Sequence, residues 1–195
     1  MPKIIDYDRR RSDIVDVTWD LITRGGMEAA TMRGIASAAG FANGALKIYF
    51  TSKDDIIQAT YERALGKVAR HISLDELRGL DALREICHSA MPIDEERIQA
   101  GKVLLTFWHA SLSNPRLHEK YLEHLEHWRA TLFRFIAEGR EDGDILTETP
   151  DELLVDQVVL LNAGATVMNV VGAEHSSVER QQRLVTSFLD GLTRP

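Results

Sequence analysis

From Asp8 to Leu192 the apolar residues of this chain return at every third or fourth position, and no stretch alternates them convincingly at every second one. That period lines up side chains on one face of an α-helix but scatters them over both faces of a strand. It therefore restricts the chain to helix-on-helix packing. The punctuation agrees. Gly25-Gly26, Gly40, Pro92, Asn114-Pro115 and Gly143 interrupt the periodic segments. Ser52 with Asp55, Thr149-Pro150-Asp151-Glu152, and Ser176 with Glu179 have the form of helix starts. The reading is an all-α chain of about nine helices. They are predicted over Asp8–Arg24, Met32–Ala39 capped by Thr31, Asn43–Phe50, Lys53–His71, Leu74–Met91, Glu95–Ser113 and Pro115–Glu141. Two more run from the Thr149-Pro150 start to about Val171 and from Ser176 to Leu192.

At 195 residues, 44% hydrophobic and 27% charged, the chain can bury a core without disulfide or metal staples, which excludes disorder and collagen-like repeats. Cys87 is the single cysteine, and Met1–Asp6 has no apolar signal core, so a cytoplasmic setting is expected. The longest uncharged run, between Asp156 and Glu174, is 17 residues and includes Gln157, Asn162, Thr166 and Asn169. A bilayer span needs about 20 apolar residues, so no membrane partner is expected. The net charge of −7 argues against a nucleic-acid partner until it is divided. Residues 1–53 carry eight Lys and Arg against six acids, a net of +2, which leaves −9 on residues 54–195. The division predicts two parts, one of them attracted to something anionic.

Met32–Thr51 fits a helix-turn-helix frame. Ile35 and Ala39 face the core, Ala36 is small where two helices cross, Gly40 suits a tight left-handed turn, and Phe41, Leu46 and Tyr49 fill the corner. An ordinary helical hairpin of a bundle would satisfy the same positions. Arg9–Arg11 and Arg33 in first helical turns, and Lys53 at the start of the next helix, can clamp a phosphate backbone or be solvated surface charges. The outward set of the second helix is Asn43, Gly44, Ala45, Lys47 and Ile48. Lys47 reaches guanine or phosphate, Asn43 pairs with adenine or caps the helix, and Gly44-Ala45 leave room for base edges.

The run Thr31–Ile57, with Thr before the helix and Ile-Ala, Ala-Gly, Tyr-Phe and Ser-Lys in place, resembles the N-terminal region of the TetR family of bacterial transcriptional regulators. Met91–Arg97, Phe107-Trp108, Asn114-Pro115 and Gly143–Leu146 are similar to its choline-responsive BetI subgroup. The resemblance implies an N-terminal three-helix DNA-binding domain, 1–53, and a helical ligand-binding and dimerisation domain, 54–195. It implies a homodimer on double-stranded operator DNA, a repressor released by a small-molecule effector, with no cofactor. It carries DNA contact to Thr31, Arg33, Asn43, Gly44, Ala45, Lys47, Tyr49 and Lys53. Lys47 stands where many members have an aromatic, and Ile48 replaces a frequent His or Tyr.

In the second part, Leu117, Tyr121, His124, Leu125, Trp128, Leu132 and Phe135 form an apolar and aromatic stripe. Such a stripe is plain core, or one wall of a pocket with candidates Phe107, Trp108, Tyr121, His124, Trp128 and Asn162. Tyr121 and Trp128 would suit an organic cation, as the BetI resemblance implies. His124 and His127 have the spacing of metal ligands on one helix, but no further Cys or His pair completes a site, and none is assigned. No nucleophile with an orienting base is visible, so no enzyme is expected. Asp151–Val171 is apolar nearly all round and must be covered on both sides, by its own domain or by a second copy. The candidate dimer residues are Leu161, Gly164, Ala165, Met168, Leu184, Phe188 and Leu192. The competing reading is a small-molecule-binding helical protein or enzyme with an incidental hairpin, which would show no salt-dependent DNA binding.

Overall fold

The computed structural model of the chain describes residues 6–42, 44–72, 74, 76–172 and 177–195. Among these no strand forms. The order is α1 (Tyr7–Ala29), α2 (Met32–Ala38), a 3₁₀ turn (Ala45–Ile48), α3 (Lys53–Ala69), α4 (Gly79–Ser89), α5 (Glu95–Ser111), α6 (Pro115–Glu141), α7 (Asp151–Val171) and α8 (Val178–Leu192). By packing the chain forms two units. One takes the described residues up to Gly66 together with Lys102–Tyr121; the other takes Lys67–Gly101 and Leu122–Pro195. A boundary is expected after Lys53; in packing, α3 stays with α1 and α2 as far as Gly66.

The local signals act as their chemistry requires, and α1 starts one residue before the expected Asp8. Asp6 accepts from the Arg9 amide at 3.0 Å and opens α1. Gly26, at φ 66 and ψ −167, breaks α1 where Gly25-Gly26 was expected to end it, and a short helical stretch to Ala29 follows. Thr31 Oγ1 accepts from the Gly34 amide at 3.0 Å and heads α2. Ser52 and Asp55 cap each other's amides at 3.2 and 2.9 Å, the reciprocal box that starts α3.

Other expected boundaries move, each for an identifiable reason. The predicted helix Asn43–Phe50 is reduced to the 3₁₀ turn, entered through Gly44 at φ 91; Asn43, its expected cap, lies outside the described residues. The helix expected from Leu74 begins at Gly79, whose amide donates to the Glu138 carboxylate at 3.0 Å and whose backbone lies against Gly139. Thr149 does not cap α7. Its carbonyl accepts from Arg140 at 2.7 Å, its hydroxyl meets that of Thr147 at 3.1 Å, and Pro150 occupies the cap. The cap of α8 is Ser177, which accepts from the Arg180 amide at 3.2 Å; Ser176 lies outside the described residues.

The first unit buries Ile14, Ile22, Ile35, Leu46, Ile56 and Phe107. The second is built on Leu83, Ile86, Leu132, Phe135, Ile136, Leu154, Val155 and Leu189, with Trp128 and Phe188 packed against that core. By length and composition α7 is long and apolar enough to cross a membrane, so the 17-residue uncharged run is not by itself a ground for excluding one. One side of α7, however, is committed to this core through Leu154, Val155, Val158 and Ala165.

Candidate nucleic-acid interface

The 3₁₀ turn is held from behind and open in front. Behind it, Leu46 and Phe50 are buried to 1% and 2% exposure, which fixes the turn as a rigid projection rather than a loose loop. The Tyr7 hydroxyl donates to the Ile48 carbonyl at 2.9 Å, and Arg11 donates to the carbonyl of Tyr49. The Arg11 guanidinium also lies 4.0 Å from the Phe50 ring centroid. In front, Gly44 and Lys47 are exposed and Ala45 is half-buried. Ile48 is 67% exposed, a large apolar side chain with no place in the core, as a groove-reading position would be.

Tyr49 faces the other way: it is buried, with Tyr7 and Phe41 rings 5.2 and 5.5 Å from its own. It positions the turn. Thr31 and Arg33 are exposed at the start of α2, and Lys53 is half-buried at the start of α3. Of the three arginines expected as a clamp, Arg11 is used internally, Arg10 lies 3.9 Å from Asp13 and over the Phe41 ring, and Arg9 is exposed.

A second support joins the first turns of α3 and α6. Asn114 Nδ2 donates to Asp54 at 2.9 Å, Arg116 pairs with Asp55, and Arg116 Nη1 lies 3.4 Å from Ser52 Oγ. Hydrogen bonds from Thr51 and Ser52, with the Arg116 charge, pull the Asp55 carboxyl down to about 2. Sequence reasoning found the α3 cap but not this joint. Asn114-Pro115 announces only a helix start, and the partners are some 60 residues apart.

The candidate effector residues divide between the units. Phe107, Trp108 and Tyr121 belong to the first, where Phe107 stacks on Tyr61 at 3.8 Å and Trp108 lies 6.2 Å from Tyr121. Burial, opposed by a hydrogen bond from Trp108, raises the Tyr61 hydroxyl to about 12. Tyr61 was not singled out in the sequence, because its partners are remote along the chain. His124, Trp128 and Asn162 belong to the second unit. There both amide atoms of Asn162 are buried without a hydrogen-bond partner, which is costly for an asparagine that serves only structure. Among the described residues no three His, Cys, Asp or Glu side chains could share a metal ion. Of the candidate dimer residues, Ala165 and Leu192 are buried in their own unit, Leu161 and Phe188 are half-buried, and Gly164, Met168 and Leu184 are exposed.

Comparison with known proteins gives this geometry its relatives. Residues 14–60 match the family described as bacterial regulatory proteins, tetR family. Residues 79–194 match the family described as BetI-type transcriptional repressor, C-terminal. The chain is 34% identical over 110 residues to the HTH-type transcriptional regulator PksA of Bacillus subtilis, covering 55% of this chain and 54% of that protein. It is 31% identical over 123 residues to the HTH-type transcriptional regulator BetI of Pectobacterium carotovorum, covering 60% and 63%. The match thus spans less than two thirds of either relative. In structure it resembles a transcriptional regulator from Saccharomonospora viridis in complex with choline, with a TM-score of 0.81, 21% identity and coverage of 94% and 96%. A TetR-family regulator from Rhodococcus also gives 0.81, at 14% identity and coverage of 96% and 100%. These last likenesses establish the fold. With most of the chain inside the two family matches, the protein belongs to the TetR family of bacterial regulatory proteins, with a C-terminal region of the BetI type.

Proposed function

We propose that the chain is a cytoplasmic, homodimeric repressor that binds double-stranded operator DNA and is released by a small molecule bound in its C-terminal part. The observation that carries the reading is the 3₁₀ turn: Gly44, Ala45, Lys47 and Ile48 lie on a projection supported by Tyr7, Arg11 and Tyr49. In this reading Lys47 and Ile48 enter the major groove, Arg33 and Lys53 meet phosphates, and Thr31 fixes α2 against the backbone. Asn43 keeps the contact that the resemblance implies. Residues 1–53 form the DNA-binding part and 54–195 the effector and dimer part, with α3 as the lever between them.

The unpartnered amide of Asn162, with His124 and Trp128 in the same unit, supports an effector site there. Choline, bound by the Saccharomonospora relative, is the first compound to try. A gel shift with DNA flanking the chain's own gene tests the reading. Lys47→Ala and Arg33→Ala should weaken binding about tenfold each, and loss of a phosphate contact should make the salt dependence shallower. Salt-independent binding, or none, removes the repressor. Operator affinity unchanged by any effector leaves the DNA contact and removes the release.

A further inference from the structure

A groove of about 670 Å³ opens in the first unit where the break in α1, the first turns of α3 and α6 and the last turns of α5 meet. That is the size of a small-molecule site. Its apolar floor includes Ile57, Leu105 and Leu117. Its polar wall includes the bond from Asn114 Nδ2 to Asp54 Oδ2 at 2.9 Å. The other end of the Asn114 amide is occupied, because its oxygen accepts from the amides of Arg116 and Leu117 at 3.1 and 3.3 Å and caps α6. Asp54 is half-buried and takes its hydrogen bond from a neutral amide rather than from a cationic side chain.

The formal side-chain charge of the lining is likewise negative, Asp54 and Glu28 against Lys53, while helix ends of both polarities meet there. The main segment of α1 ends at Gly25-Gly26 and α5 ends at Ser111, so two helix C-termini with partial negative charge reach the groove. The N-termini of α3 and α6 are there too and offset them; Ser52 and Asn114 take up free amides at these ends, and Asp54 and Asp55 stand in the first turn of α3. Glu28 adds an exposed carboxylate; Lys53 and His109 are the basic side chains of the lining.

We propose that this groove binds a small organic cation, a primary ammonium on an apolar body, whose charged end takes the Asp54 carboxylate from Asn114. The apolar body lies on Ile57, Leu105 and Leu117. The site is distinct from the region of His124, Trp128 and Asn162, which belongs to the other unit. Occupancy would release the first turn of α6 from that of α3, four residues after Phe50, and so loosen the support of the recognition turn. This regulatory consequence rests on the repressor reading; the binding does not.

Calorimetry on the full chain, with n-hexylammonium, hexanoate and hexanol as probes, tests it. Hexylammonium should bind saturably and more tightly than the other two. Asp54→Asn, which keeps the bond to Asn114, should weaken it about tenfold, and Ala110→Phe, which fills the groove, should abolish it. Arg134→Gln, at an exposed side chain of the other unit, should leave it unchanged. Melting curves confirm that each variant is folded. Tighter binding of hexanoate would assign the groove to Lys53 and an anion, and overturns the proposal. So does the absence of saturable binding, or ammonium binding that survives both groove variants. Loss of binding in Arg134→Gln alone moves the ammonium to the other unit and overturns the groove while the repressor stands. Failure of the chain to bind DNA removes the repressor and leaves the ammonium measurement untouched.

Discussion

The carboxylate of Asp55 receives the Thr51 hydroxyl, the Ser52 amide and the Arg116 guanidinium, and these hold its pKa at about 2 against 3.8 for an ordinary aspartate. Between those values the folded chain binds fewer protons than the unfolded one. The contribution is therefore complete above about pH 4 and is lost as the pH falls toward 2. Asp55→Asn should remove this part of the acid transition and cost about 1–2 kcal/mol at neutral pH, allowing for solvent screening, as chemical denaturation at a series of pH values would show. Asn162 should behave in the opposite way. Asn162→Leu removes two buried, unpartnered polar atoms, so it should stabilise the effector-free chain by about 1–2 kcal/mol, or roughly 2–8 °C in Tm, while abolishing the effector response. A fall in Tm would mean that the amide serves the fold. At this scale the sequence was legible where partners are close along the chain, as at Thr31 and in the Ser52–Asp55 box. It was silent on Arg116 and Tyr61, whose partners arrive through tertiary packing. The helix-turn-helix frame placed Tyr49 inside, where it is, whereas the resemblance implied a DNA contact for it; its burial at 7% exposure favours the frame.

Among the elements, α6 was predicted with its observed bounds because proline and glycine mark both ends of a long periodic stripe. The start of α4 was not, because it is decided on α6. Gly79 donates to Glu138 and lies on Gly139, and nothing near Leu74 signals that. The close approach has a consequence. A Cβ built on Gly139 would sit 2.7 Å from Ile145 Cδ1 and 3.1 Å from the Leu80 amide nitrogen, and the second of these is backbone. Gly139→Ala should therefore destabilise the second unit by about 1–3 kcal/mol, although alanine is the better helix former by about 1 kcal/mol. A melt that rises instead would show that α4 yields without cost. The recognition element was legible as a helical hairpin, but its second arm was overestimated. Gly44 at φ 91 leaves only Ala45–Ile48 helical, a length that hydrophobic spacing does not report.

At the scale of the molecule, the −9 charge on residues 54–195 would repel DNA everywhere except at the +2 segment, favouring one orientation of approach. A single such segment reads one half-site, and a partly palindromic operator requires two, about 34–36 Å apart. An exposed apolar stripe on α7, with Leu184 on α8, is the candidate surface for such a pairing. Leu153, Leu160 and Val167 repeat every seven residues on α7, joined by Gly164, Met168 and Val171, and Leu184 is exposed on α8. Leu160 is 70% and Val171 74% exposed, more apolar surface than an isolated helix pair keeps in water. Since the opposite side of α7 is already in the core of its own unit, a facing copy of this stripe covers it better than lipid, which would need the whole circumference. Leu160→Glu combined with Leu184→Glu should therefore give a folded monomer by light scattering, with melting little changed because both side chains leave the core untouched. Its operator affinity should fall by at least about a hundredfold, the loss expected when two linked half-sites become independent. A double variant that remains dimeric would transfer the interface elsewhere on the chain, and one that gained solubility only in detergent would favour a membrane for α7.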